Sequence, residues 1–316
     1  MQRGKMLQPG DTIGVISPAS PSEHQSEIIR AMEYWTEKGY KVELGKNVNK
    51  TKGFVAACEE DRASDMNEMF RRDDIDGVFV TQGGYGSAQL FSHLDFDLIK
   101  SNPKVFTGFS DITSLHIMLG KFSDLTTFHG PGMARFNSQD LTKYTEKYFH
   151  KAIFSPEPIG NIPLANPKKW VYAMTQGTAE GELTGGNLTL VCATLGTPYE
   201  IETRGKILLL EEVDQEPWVM DHCLSHLRNA GKLEDIKGIV IGECHNCEPY
   251  KNNPGFLCDT GIEDVFTYYF GALKVPVLYG LPLGHTRDIA TLPLGVTVRI
   301  SSDDKSLTIL ESGVRA

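Results

Sequence analysis

Residues 104–116 read KVFTGFSDITSLH, and this stretch decides how the first half of the chain folds. Residues 105–107 have the composition of a short buried strand, and Gly108 permits a sharp turn. The apolar spacing that begins at Asp111 is typical of a helix. Ser110 is therefore predicted at a tight strand-to-helix corner. Its hydroxyl would stand above the edge of a sheet, with the positive end of the helix directed at it.

The corner at Ser110 has two interpretations. A serine nucleophile at this point would leave the backbone N–H of the next residue available to an oxyanion. In the simpler interpretation, Ser110 only caps the helix. Residues 108–112 read GFSDI and lack the second glycine of the common hydrolase motif. The corner alone leaves both interpretations open.

Strand and helix patterns alternate on both sides of this corner. Residues 12–17, 40–44 and 77–81 read as strands, and helical patterns end at Gly39 and cover about 59–72. This order predicts an α/β fold with a doubly wound parallel sheet, whose ligands gather at the carboxyl ends of the strands. We expect a flavodoxin-like nucleophile domain at residues 1–155.

The second half of the chain has a different composition. Residues 156–176 are rich in Pro, Asn and Lys and are predicted to link two domains. Residues 177–316 are predicted to form a mixed α/β domain with a β-rich end. That end is an antiparallel hairpin of residues 296–300 and 306–310, whose side chains alternate between apolar and polar.

Composition limits the function classes. The 316 residues are 40% hydrophobic and carry a net charge of -10. There is no stripe of Lys and Arg, so nucleic acid and anionic membrane surfaces are not expected partners. Neither an apolar signal segment nor a run of about 18 apolar residues occurs. These features favour a cytoplasmic protein.

The cysteines favour reduced thiols over a disulfide scaffold, because they are scattered over a long chain. The six are Cys58, Cys192, Cys223, Cys244, Cys247 and Cys258. Only Cys244 and Cys247 have the spacing of metal ligands. A zinc site would need two more ligands from Cys258, His222 or His226, and no Glu lies between the two histidines in the zincin arrangement. We expect no metal.

Three other places carry residues suited to catalysis. The glycine loop, residues 82–87 (QGGYGS), follows a strand, and its backbone N–H groups can approach an oxyanion or a phosphate. Glu211 and Glu212 end an apolar strand, where a carboxylate needs hydrogen bonds or solvent. His285 lies in a loop fixed by glycine and proline. A plain turn, a solvated strand end and a surface histidine are the simpler interpretations.

Taken together, these residues resemble a known family. The matching motifs, in chain order, are residues 83–86 (GGYG), 108–111 (GFSD), 129–131 (HGP), 181–187 (GELTGGN), 210–213 (LEEV) and 284–285 (GH). They resemble the LD-carboxypeptidases, the muramoyltetrapeptide carboxypeptidase family of serine peptidases. The resemblance runs from about Gly10 to the C-terminus. It looks closest to the cytoplasmic murein peptide carboxypeptidases of Gram-positive bacteria.

The resemblance implies a catalytic triad. The nucleophile would be Ser110, the acid Glu211 and the base His285, with the oxyanion hole at the backbone N–H of Asp111 and of Gly84. Glu212 replaces the family's more common Asp, which leaves the choice between the two glutamates open. Because the serine and the glutamate lie on opposite sides of the predicted linker, catalysis would require both domains.

The implied reaction is hydrolysis of a murein tetrapeptide, in the recycling of cell-wall peptides. The amide between an L-centred diamino acid, meso-diaminopimelate or Lys, and a terminal D-Ala would be cleaved without a metal or organic cofactor. Gly83 is a further candidate for substrate contact. Arg287 is a candidate for the cation that binds the terminal carboxylate. Family members also imply a possible homodimer.

Two alternatives remain. A sister branch of the family cleaves microcin-type peptidyl-nucleotides, and Trp170 would then stack on the base. Otherwise Trp170 packs at the domain interface. The alternative of another class is a non-enzymatic two-domain protein that closes on a peptide, in which Ser110 would not react with a serine-directed phosphonate.

Overall fold

The computed structural model describes residues 1–136, 141–249, 257 and 259–316. The strands in chain order are β1 (Thr12–Ile16), β2 (Lys41–Leu44), β3 (Gly77–Val80), β4 (Val105–Gly108), β5 (Thr127–His129), β6 (Gly160–Asn161), β7 (Tyr172–Thr175), β8 (Thr178–Asn187), β9 (Ile207–Glu211), β10 (Gly238–Gly242), β11 (Val277–Leu281), β12 (Leu292–Leu294), β13 (Thr297–Ser301) and β14 (Ser306–Ile309). The α-helices are α1 (Gln25–Glu37), α2 (Glu59–Arg71), α3 (Phe96–Ser101), α4 (Thr113–Ser123), α5 (Lys143–Ile153), α6 (Leu188–Ala193), α7 (Pro217–Asn229) and α8 (Ile262–Phe270). Short 3₁₀ turns cover Ser87–His93, Ser110–Ile112 and Met133–Arg135.

The chain forms two compact units. Unit 1 contains Met1–Ile159, Ala290–Val296 and Glu311–Ala316. Unit 2 contains Gly160–Ile289 and Thr297–Leu310. The chain therefore passes between the units four times.

Unit 1 is built on a six-stranded sheet in the order β12-β5-β4-β3-β1-β2. The strands from β2 to β5 are parallel, and β12 pairs with β5 in the antiparallel direction. Every residue of β1, β3 and β4 is buried, as expected for a parallel sheet covered on both faces. The glycine loop follows β3 and the Ser110 corner follows β4, so both lie at the carboxyl edge of this sheet.

Aromatic packing holds the helices of unit 1 against the sheet. Trp35 of α1 is buried, and its ring centroid lies 5.6 Å from that of Phe79 in β3 and 4.8 Å from that of Phe136. Phe149 of α5 joins the cluster at 4.6 Å from Phe136. Tilted and edge-on contacts of this kind add to the gain from apolar burial. They fix α1 and α5 on one face of the sheet.

Unit 2 is built on an eight-stranded sheet in the order β6-β14-β13-β8-β9-β10-β11-β7. Strands β8 to β11 are parallel, and the outer strands β7, β13, β14 and β6 are antiparallel to their neighbours. Strands β9 and β10 are wholly buried. The last residue of β9 is Glu211, which places this carboxylate at the carboxyl edge of the parallel strands.

The predicted fold class is confirmed: a parallel sheet in the first part of the chain and a mixed sheet in the second. The predicted boundaries differ from the observed units in two places. Residues 290–296 and 311–316 belong to unit 1, because β12 extends its sheet beside β5. Part of the predicted linker 156–176 is strand, because β6 pairs with β14 and β7 with β11. The proline-rich composition of residues 156–176 did not indicate either strand.

Candidate active site

Ser110 occupies a strained corner in unit 1. It lies two residues after the end of β4 and begins the 3₁₀ turn that leads into α4. Its φ is +65°, in the left-handed region that non-glycine residues rarely adopt. Such strain persists only where the surrounding structure imposes it, and it is concentrated at functional sites. The half-buried Ser110 side chain is thus presented at the carboxyl edge of the sheet.

The glycine loop packs directly against this corner. A Cβ atom on Gly83 would lie 2.9 Å from Cβ of Ser110 and 3.3 Å from the backbone N of Asp111. Gly84 has a φ of +105°, and a side chain there would overlap Ser20. Glycine at these two positions lets the loop approach the corner closely and leaves the N–H of Asp111 uncovered on this side. Both predicted oxyanion donors therefore belong to neighbouring segments of unit 1.

Asp111 and Ser87 join the two segments. The backbone N–H of Ser87 donates to Oδ2 of Asp111 at 2.8 Å, and the Ser87 hydroxyl donates to the Asp111 carbonyl at 2.6 Å. Both residues are buried, so water does not compete for these bonds. The role of Ser87 was not predicted, because a serine that ends a glycine-rich loop has no distinguishing sequence pattern.

His116 contacts the end of β4, next to the Ser110 corner. It lies in α4, and its Nε2 is 2.8 Å from the carbonyl oxygen of Gly108, the last residue of β4. Burial lowers the pKa of His116 to about 3, so the ring is neutral at pH 7, with Nε2–H as the donor. Sequence analysis missed this residue. Its position on an apolar helix face was the available signal.

In unit 2, Glu211 and His285 are in contact. Nδ1 of His285 lies 2.7 Å from Oε2 of Glu211, whose side chain is buried. Burial by itself would lower the pKa of His285, but the Glu211 hydrogen bond and nearby carboxylate charges outweigh it and raise the pKa. Gly284 has a φ of +85°, and a side chain there would overlap the Glu211 carboxylate. The glycine before His285 is therefore required by this contact.

Glu212 has different partners. Its two oxygens accept hydrogen bonds from the side chain of Asn187 (2.8 Å), the N–H and hydroxyl of Thr189 (2.9 and 2.7 Å) and the N–H of Val213 (2.9 Å). Burial raises the pKa of Glu212, and these bonds act in the opposite direction. Residues next to each other at a strand end point to opposite faces. Glu211 contacts the imidazole of His285, whereas Glu212 forms hydrogen bonds that connect the end of β9 with the start of α6.

The two predicted substrate contacts of unit 2 lie on loops. Trp170 is 72% exposed and lies between β6 and β7. The neighbouring Lys169 forms an ion pair with Glu243, which follows β10. Arg287 is exposed, two residues after His285. Its role as the cation for a terminal carboxylate stays a prediction.

The metal question concerns residues 1–136, 141–249, 257 and 259–316. Within them no group of three or more His, Cys, Asp or Glu side chains is arranged to hold a metal ion. Cys244 and Cys247 follow β10, while Cys258 lies outside the described residues. In the same ranges, the helices are all too short or too polar to cross a bilayer.

Comparison with protein families gives two matches. The model described as the LD-carboxypeptidase N-terminal domain matches residues 13–130. The model described as the LD-carboxypeptidase C-terminal domain matches residues 180–300. The first match includes the glycine loop and Ser110, and the second includes both glutamates and His285.

Individual relatives match along nearly the whole chain. A probable murein peptide carboxypeptidase of Bacillus subtilis (strain 168) is 36% identical over 310 residues, which cover 98% of this chain and 94% of that protein. The microcin C7 self-immunity protein MccF of Escherichia coli is 28% identical to this chain. The apo structure of MccF superposes with a TM-score of 0.89 over 99% of this chain and 100% of that one. Other MccF structures contain adenosine monophosphate or aspartyl sulfamoyl adenosine.

A third relative is the muramoyltetrapeptide carboxypeptidase from Oxalobacter formigenes. Its crystal structure superposes with a TM-score of 0.82 and 26% identity over 96% of this chain and 100% of that one. The two family models together span most of the chain, and the Bacillus subtilis relative is more than one-third identical over nearly all of it. The chain therefore belongs to the LD-carboxypeptidase family.

Proposed function

We propose that the protein is a serine LD-carboxypeptidase in which Ser110 is the nucleophile, His285 the general base and Glu211 the acid that orients the base. The observation that carries the proposal is the 2.7 Å contact between Nδ1 of His285 and Oε2 of Glu211. With its proton on Nδ1, a neutral imidazole has its basic lone pair on Nε2. The strained backbone of Ser110 and the adjacent N–H groups support the nucleophile assignment.

The reaction proceeds in two stages. Nε2 of His285 takes the proton of the Ser110 hydroxyl as Oγ attacks the scissile carbonyl carbon. The N–H groups of Gly84 and Asp111 bind the resulting oxyanion. The imidazolium then protonates the amine of the departing residue, which leaves an acyl ester on Ser110. A water molecule, deprotonated by the same imidazole, hydrolyses that ester and restores the hydroxyl.

The proposed substrate is a murein tetrapeptide. The scissile amide joins an L-centred diamino acid, meso-diaminopimelate or Lys, to a terminal D-Ala. The names of the Bacillus subtilis and Oxalobacter formigenes relatives support this class. An exopeptidase must recognise the free carboxylate and the D-configuration of the last residue. Hydrolysis should therefore be lost with the L-Ala epimer and with the C-terminal amide, and equal rates on all three peptides would indicate a general serine hydrolase.

Covalent labelling tests the nucleophile. A fluorophosphonate should modify Ser110, as read by mass spectrometry, and Ser110→Ala should lose both the adduct and turnover while the protein stays folded. Ser114→Ala is the matched control, because Ser114 is a buried serine four residues later, at the start of α4. Labelling that persists in Ser110→Ala would move the nucleophile elsewhere. An unlabelled wild type that binds tetrapeptide would support a non-enzymatic binding protein.

A second candidate is a peptidase that inactivates peptidyl-nucleotides. It is favoured by one observation, the 72% exposure of Trp170, whose large apolar surface is otherwise left in water. The ligands of MccF, adenosine monophosphate and aspartyl sulfamoyl adenosine, support a stacking role for this side chain. Turnover of a peptidyl-adenylate should then fall at least tenfold in Trp170→Ala and stay unchanged in the control Trp218→Phe. Turnover of murein tetrapeptide alone would reject this candidate.

A further inference from the structure

Arg62 is a buried cation that the proposed mechanism does not use. It lies in α2 and is 1% exposed. Its guanidinium donates to the carbonyls of Pro18 (2.6 Å), Ala57 (2.9 Å) and Gly86 (2.8 Å) and to the side-chain oxygen of Gln89 (2.6 Å). Within the described part of the chain, no carboxylate forms a salt bridge with it. A full charge is therefore buried among neutral acceptors, and these hydrogen bonds, not a direct ion pair, must offset its cost of desolvation.

A single peptide unit links Arg62 to Asp111. The carbonyl of Gly86 accepts from Nη1 of Arg62, and the N–H of the next residue, Ser87, donates to Oδ2 of Asp111 at 2.8 Å. In a trans peptide these two groups point in opposite directions. The peptide dipole therefore has its negative end at the cation and its positive end at the carboxylate. Hydrogen bonds in such a chain polarise and strengthen one another.

Asp111 creates an electrostatic problem for the proposed reaction. Its carboxylate is buried, and its own backbone N–H is a proposed oxyanion donor. A negative charge that develops close to a buried carboxylate is repelled in a medium of low dielectric constant. Burial lowers the pKa of Arg62, and the charges of Glu59 and Asp111 act in the opposite direction. The Gly86–Ser87 peptide places the guanidinium two hydrogen bonds away from the Asp111 carboxylate.

We propose that Arg62 is a positioning residue of the oxyanion hole. It holds the glycine loop against the Ser110 corner through the Gly86 carbonyl, and its charge offsets that of Asp111 while the oxyanion forms. The inference rests on the proposed function, because it takes Ser110 as the nucleophile.

Lys104 provides a matched control within the same unit. It is also a buried cation, 8% exposed, and its Nζ donates to the backbone carbonyls of Met69 and Arg72. It precedes β4, whereas Ser110 follows β4, so the two lie at opposite ends of the strand. Arg62→Gln and Lys104→Gln each remove one buried positive charge from unit 1, but only the first removes it from beside the glycine loop.

Three measurements test the proposal: the rate of fluorophosphonate labelling at Ser110, kcat and KM on the tetrapeptide, and Tm. Arg62→Gln should lower the labelling rate and kcat by about 10- to 100-fold and leave KM within about threefold. Lys104→Gln should lower Tm but leave both rates within about threefold. Arg62→Lys keeps the charge and should recover part of the labelling rate. Equal losses in Arg62→Gln and Lys104→Gln would overturn the proposal.

Asp111→Asn separates the charge from the fold. The amide oxygen still accepts from Ser87, but the negative charge is gone, so the Arg62→Gln/Asp111→Asn double variant should label faster than Arg62→Gln. If the Arg62 variants do not fold, Asp111→Asn alone decides. A labelling rate above that of wild type supports the charge offset, because the Arg62 charge then faces no opposing carboxylate, and a rate equal to or below that of wild type overturns it. A wild type without an adduct on Ser110 would instead contradict the proposed function.

Discussion

Replacing Glu211 by Gln tests the proposed triad at its best-defined contact. The change keeps the size of the side chain and removes the charge that faces Nδ1 of His285 at 2.7 Å. As the base takes up a proton, an imidazolium forms beside this buried carboxylate. Glutamine cannot stabilise it by charge, and its NH₂ group, if it faces Nδ1, favours the wrong tautomer.

The size of the effect follows from this geometry. Two unit charges with centres about 4 Å apart attract by about 4 kcal/mol at an effective dielectric constant of about 20. That energy corresponds to about a thousandfold in rate. We therefore expect kcat on the tetrapeptide to fall by about 10³-fold in Glu211→Gln, with a smaller change in KM.

The pH dependence provides a second readout. Because the pKa of His285 is raised, the wild-type rate should decline as the pH falls through a value above the ordinary pKa of about 6.5. In Glu211→Gln only the charges of Glu212 and Asp214 still oppose the effect of burial on the pKa of His285, so this decline should move to lower pH. The same pair stabilises unit 2 below about pH 6.5, and that contribution is lost as the pH rises through the folded-state pKa of His285.

Glu212→Gln is the matched control. Two of the four donors that bond to the Glu212 carboxylate would then face an NH₂ group. The free energy of unfolding should fall by about 2–4 kcal/mol, and Tm with it, while kcat stays within about tenfold of wild type. Steady-state kinetics and thermal unfolding of both variants decide the matter. A larger loss of kcat in Glu212→Gln than in Glu211→Gln would refute the assignment and transfer the role to Glu212.

Three further predictions concern the backbone and the buried imidazole. Gly284→Ala should lower kcat about as much as Glu211→Gln, because its Cβ would overlap the Glu211 carboxylate at a φ of +85°; a wild-type kcat would contradict the required close approach. Gly83→Ala should slow phosphonate labelling of Ser110 by about tenfold or more, since the new Cβ crowds the corner, and an unchanged rate would disprove this. His116→Gln should weaken the acid-induced loss of stability of unit 1. Burial lowers the pKa of His116 to about 3, so its contribution is present above about pH 6.5 and lost as the pH falls towards 3; urea titrations at several pH values check this, and equal slopes for variant and wild type would contradict it.

Local patterns in the sequence were sufficient for strands β1 to β4, for helices α1 and α2 and for the Ser110 corner. Apolar periodicity and glycine position carry that information within about ten residues. Strand β12 has no such signal, because Leu292–Leu294 is a three-residue segment whose partner β5 is distant in sequence. Its place in unit 1 depends on long-range pairing.

The candidate site was also predicted only in part from the sequence. Residue type and motif order indicated Ser110, Glu211 and His285, but the choice between neighbouring glutamates depends on which face of the sheet each one meets. The burial of Arg62 could not be predicted for a related reason. Within a helix rich in charged residues it reads as a solvated side chain, and only the surrounding carbonyls reveal its burial.

The division of unit 1 into three chain segments affects how the protein is made on the ribosome. Strand β5 emerges with one edge unpaired, and its partner β12 is translated roughly 160 residues later, about 10 to 30 s at typical elongation rates. Arg315 is translated later still. Its carbonyl accepts from the N–H of Met6 at 2.8 Å, and its N–H donates to the carbonyl of Gly4 at 3.0 Å. Meanwhile the open sheet edge can pair with another nascent chain. Unit 1 therefore begins to form before unit 2 is translated, and its sheet is completed only after β12 has been made.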